Sequence, residues 1–130
     1  MVMKIMMKKI YKVLFLLISF NSNAQTYMID SLKVLNGDRI YFSKAIDLKI
    51  VHDQEYLKFY KLELNPHTQI KEFVLYQTWK TTKANYFNNK VRFVAWGANY
   101  DLQFFEVSEH WMIEKYIGFT KVYHIKTIYP

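Results

Sequence analysis

The sequence predicts an all-β chain, an antiparallel up-and-down meander closing as a small barrel. Three observations predict it. Apolar residues recur with period two, turn residues fall between these runs at short intervals, and Gly and Pro are scarce, at three and two in 130 residues. Up to eight strands in such a succession must close on themselves or fold into two layers, because a long flat sheet leaves unpaired edges. A β-sandwich is the alternative closure.

The first element is set apart from the rest. Lys4, Lys8, Lys9 and Lys12 precede an apolar run over residues 13–20, and Asn21, Ser22, Asn23 and Ala24 follow it. As a helix those eight residues reach about 12 Å, against about 30 Å of bilayer hydrocarbon. Basic start, short apolar centre and small-residue exit are the layout of a secretory signal peptide, with cleavage expected between Ala24 and Gln25. The expected division is a signal peptide over 1–24 and a single antiparallel β domain over 25–130. The expected location is periplasmic, cell-surface or extracellular, with no stable membrane span once the leader is removed. The chain has no cysteine, so neither a lipidated cysteine at the cut nor a disulfide is available to it.

Residues 27–35, "YMIDSLKVL", carry Met28, Leu32 and Leu35 at helical spacing, and a short helix there would make the fold α+β. Beyond the "NGD" turn at 36–38, strands are expected near 39–43 and 46–51. The second of these, "AIDLKIV", sets Ile46, Leu48 and Ile50 on one face and Asp47 and Lys49 on the other. Further strands are expected at 55–64, 70–80, 90–96, 100–107, 110–117 and 119–128, separated by "HDQE", "NPHT", "FNNK", "WGAN", "VSEH" and "IGF". In "KVRFVAW" Val91, Phe93 and Ala95 share a face. In "YDLQFFEV" the doublet Phe104 and Phe105 marks either a bulge or a strand covered on both faces.

Charge excludes one function class. The whole chain carries +7, but four of its 18 basic residues and none of its 11 acidic ones lie in the leader. The remainder has 14 basic residues against 11 acidic, a net +3, with the two signs interspersed as on a solvated surface. That pattern argues against nucleic acid as a partner. Lys58, Lys61, Lys71, Lys115, Lys121 and Lys126 are expected to keep water over outward faces.

Catalytic signatures are lacking. His52, His67, His110 and His124 are scattered without metal-ligand spacing; His110 and Glu114, four apart, would align only on a helix. No G-x-S-x-G elbow or glycine-rich phosphate loop is present, and no cofactor is implied. What remains is aromatic wealth: ten Tyr, eight Phe and three Trp among residues 25–130.

Trp79, Trp96 and Trp111 fall at strand ends or beside turns, with Tyr76, Tyr100 and Tyr116 nearby in the pattern. Those six are the expected ligand-binding residues if rings line a barrel interior; core filling is the competing role for each tryptophan. In length and strand succession the chain resembles lipocalin-like barrels, although the Gly-x-Trp start is absent and no tryptophan of the 25–130 region precedes Trp79. The expected function is an exported, non-catalytic protein binding a small hydrophobic or aromatic ligand. The alternative is a cell-surface or periplasmic module with a solid core that binds a protein or glycan.

Overall fold

The computed structural model describes residues 24–53, 55–82, 84–97, 101–116 and 118–130. The expected leader therefore lies outside the described residues, except for Ala24. Among those described there are nine strands and no helix: β1 (Ala24–Asn36), β2 (Arg39–Asp53), β3 (Tyr56–Leu64), β4 (Lys71–Thr81), β5 (Asn85–Phe87), β6 (Lys90–Trp96), β7 (Leu102–Val107), β8 (Trp111–Tyr116) and β9 (Phe119–Tyr129). They form one antiparallel sheet in the order β4-β3-β2-β1-β9-β8-β7-β6-β5. A further pairing of β4 with β6 turns the sheet into a ring, so the all-β meander closes like a barrel.

The helical alternative for 27–35 is overturned, and the cause is a bulge. Gln25, Tyr27 and Ile29 are buried in β1, after which the inward phase moves to Leu32 and Val34. The register shifts between Ile29 and Ser31 on both sides of the strand, leaving Asp30 as the unpaired residue. A bulge inserts one residue into the two-residue repeat, so a step of three appears in the apolar pattern and imitates a helix. Opposite Asp30, Ile46 and Asp47 of β2 are bypassed, since Leu48 pairs with Ile29 and Ala45 with Ser31. The two strands expected at 39–43 and 46–51 are thus one strand bent by this irregularity.

Elsewhere the alternation is realised. Leu48, Ile50, Val91, Phe93 and Ala95 are buried. The doublet resolves without a bulge: β7 pairs residue by residue with β6, Phe105 is buried and Phe104 is exposed on the outer face. Among the turns, Asn88 and Asn89 both have positive φ, 48° and 63°, as a two-residue hairpin between β5 and β6 requires. Asp53 Oδ1 accepts from the backbone N–H of Glu55 and Tyr56, at 2.8 and 2.6 Å, which shapes the β2–β3 corner.

The core is built largely from rings in contact. Phe93 and Phe105 stack with centroids 5.1 Å apart, while Trp79 packs at 5.2 Å from Phe59 and 5.9 Å from Phe105. Each such ring removes about 150–250 Å² from water, which compensates for the absence of staples in a small chain.

Two features depart from an even barrel. First, the closing seam is short: among the described residues only Lys80–Trp96 and Thr81–Ala95 pair β4 with β6, extended by the Thr82 N–H donating to Val94 O at 2.8 Å. Second, β2 and β3 pair only from Leu48–Lys61 to His52–Leu57. Residues 39–47 of β2 pair with β1 alone among the described strands, so the sheet forks there.

Candidate functional site

Trp79 is partly buried and packs against the core; its indole lies 3.1 Å from where a Cβ on Gly97 would stand, so that glycine admits the ring. Trp96 ends β6, half-buried, at the seam. Trp111 is exposed on β8, edge-on to His124 with centroids 4.9 Å apart. Tyr76 is the extra residue where β4 slips against β3, since Phe59 pairs with Gln77 and Tyr60 with Leu75. Tyr116 closes β8 and stacks on Phe119 at 5.8 Å. Tyr100 lies outside the described residues. Trp79 is therefore a core residue and Trp111 an outer one. Tyr76 and Tyr116 are the two of the six that feel one common charge.

That charge is Glu114. It is 2% exposed, and its Oε1 accepts from the Tyr123 hydroxyl at 2.9 Å. Burial pushes its carboxyl above the ordinary range, opposed by the nearby Lys121 ammonium and the Tyr123 hydrogen bond. The phenols of Tyr76 and Tyr116 are likewise raised, first by burial and then by the carboxylate of Glu114. Lys121 pairs with Glu114 across β8 and β9 and lies over the Tyr116 ring at 5.6 Å. It is a half-buried inward residue, which corrects the expectation of a lysine on an outward face. The strand geometry also disposes of the His110–Glu114 pairing: Glu114 points inward, whereas His110 is an exposed turn residue 3.6 Å from Glu109.

A second polar cluster occupies the opposite end of β1. The Tyr27 hydroxyl donates to Gln25 Oε1 at 2.9 Å, and His52 Nε2 lies 3.3 Å from Thr81 Oγ1. His52 stacks on Phe93 with centroids 4.1 Å apart. Burial lowers its pKa to about 4, with Asp53 opposing, so the ring is neutral at physiological pH.

Outside the sheet, an open groove of about 460 Å³ crosses β6, β7 and β8 beside the β4–β5 break. Thr82, Arg92, Val94, Phe104, Glu106 and Lys115 line it. Arg92 and Lys90 both reach Glu106, at 2.9 and 3.2 Å; burial raises that carboxyl, and these two cations outweigh it and hold it below the usual range. On another outer patch His124 Nδ1 lies 2.7 Å from Asp30 Oδ1, beneath the Trp111 edge. Among the described residues no group of three or more His, Asp or Glu could hold a metal ion.

Several large exposed apolar side chains lie around the fork. Ile40, Tyr41 and Phe42 stand on the part of β2 that β3 leaves unpaired, with Tyr41 69% exposed. Leu64 and Ile70 flank the β3–β4 turn, and Val74 and Leu75 follow on β4. The sequence pattern had located rings but could not say which ones a bulge or an early strand separation would leave uncovered.

The fold and these surfaces define a small antiparallel barrel-like protein with a ring-packed core and an apolar, partly unpaired margin. No family model, curated protein or solved structure matches the chain.

Proposed function

We propose that the chain is an exported, non-catalytic interaction module that takes up an extended segment of a partner protein along the free edge of β2, residues 39–47. One observation carries the reading: that edge is unpaired on its outer side among the described strands and bears Ile40, Tyr41 and Phe42 in the open. An unpaired strand offers a row of backbone donors and acceptors that an added strand satisfies, while alternate side-chain contacts supply selectivity. Exposed apolar patches of this sort mark interaction surfaces.

Export is supported by the leader's charge and length alone. The ligand carrier expected from aromatic content has less behind it, because Phe59, Trp79, Phe93 and Phe105 spend their faces on one another.

Native mass spectrometry of protein purified from its source tests the reading. The expected result is a polypeptide complex that Tyr41→Lys weakens by about tenfold or more, with the amides of 39–47 that face away from β1 gaining protection from exchange only when the partner is bound. A stoichiometric small apolar molecule with no polypeptide partner would replace this function by ligand carriage.

A further inference from the structure

Gln25 is 1% exposed, and the two ends of its side-chain amide have different fates. Its Oε1 accepts the Tyr27 hydroxyl at 2.9 Å, while its Nε2 is buried without any hydrogen-bond partner. A buried amide donor left unpaired forfeits the hydrogen bond it made to water. It is also an uncommon feature that calls for a physical reason.

We infer that Gln25 is a modification site, converted to pyroglutamate once cleavage after Ala24 makes it the first residue. The inference rests on the export reading for that cleavage. In the step, the free α-amine attacks Cδ, a lactam C–N bond forms, the Cδ–Nε2 bond breaks and Nε2 departs as ammonia. Atoms and electrons balance without oxidant or cofactor. The orphaned nitrogen is the one expelled, and the carbonyl oxygen is the one kept.

The surroundings favour the product. A new amino terminus at Gln25 would place an ammonium opposite His52 in the β1–β2 ladder. Burial there already disfavours a cation, as the neutral state of His52 shows. The lactam then carries no charge and no unmatched NH₂ group into the strand.

Intact-mass and N-terminal peptide mass spectrometry of the exported full-chain product tests this. A chain starting at residue 25, lighter than the Gln form by one ammonia and opened to sequencing only by pyroglutamyl aminopeptidase, is the expected result. A chain starting at Gln25 with its full mass would overturn cyclisation and leave export standing. A chain retaining the leader would overturn the export reading together with the modification, and a leaderless chain starting at another residue would overturn the modification alone. Gln25→Glu, which must lose water instead and so keeps its amine far longer, is expected to leave the product at uncyclised mass. Equal cyclisation of the two would show that the amide is not what drives the step.

Discussion

At His52 burial outweighs a neighbouring carboxylate, and this has a measurable consequence. Its pKa is about 4 in the fold against 6.5 for an unperturbed ring, so between those values the unfolded chain binds a proton that the native one does not. Stability is then present above pH 6.5 and is lost as pH falls toward 4, by about 3 kcal/mol over that window. Denaturant melts of His52→Asn and the parent across this range should show a shallower slope for the variant. Glu114 has the opposite sign. Its folded pKa is raised, so the native state holds the proton longer, and its contribution declines as pH climbs through the carboxylate range. Glu114→Gln should remove that decline, seen as a flatter stability profile above the ordinary carboxylate pKa. Neither polar cluster was legible in the sequence, because Glu114 and Tyr123 are nine apart and His52 and Thr81 twenty-nine. Pairing of distant strands brings them together, and alternation alone does not reveal register.

Among the elements, β2 shows what periodicity can and cannot convey. Leu48 and Ile50 alternate with exposed or half-exposed neighbours as read, and both are buried. Leu48→Asp should therefore cost several kcal/mol by placing an unpaired charge inside, visible as a large drop in melting temperature. The milder Leu48→Ala should cost about 2–5 kcal/mol through the cavity it leaves. β1 was ambiguous for a definite reason: the bulge at Asp30 moves the buried set from Ile29 to Leu32, and a strand with one inserted residue has no single period. β5 escaped notice because three exposed residues, Asn85, Tyr86 and Phe87, carry no inward–outward contrast. The tight approach of Trp79 to Gly97 was equally invisible. Gly97→Ala sets a Cβ 3.1 Å from the indole and is expected to cost about 1–3 kcal/mol, with Trp79 fluorescence reporting the displaced ring.

For the whole molecule, composition and turn spacing conveyed the class of fold, since alternating runs separated by short turns admit few arrangements besides a closed meander. They could not convey where the closure is thin. Among the described residues two pairs and one further backbone hydrogen bond join the β4 side to β6, compared with the twelve register pairs between β1 and β2. Hydrogen exchange should therefore release the Thr82 amide well before the central amides of β1, at a free energy below that of global unfolding. Equal protection at both places would mean the ring opens only when everything does.

The last strand of the chain lies beside the first: Thr26 pairs with Tyr129 and Leu35 with Thr120. A nascent polypeptide thus holds β1 without its second neighbour until β9 has been made. Long-range contacts of this kind delay folding. A molecule of this topology stays slack until both distant strands are available, so its shape is acquired late.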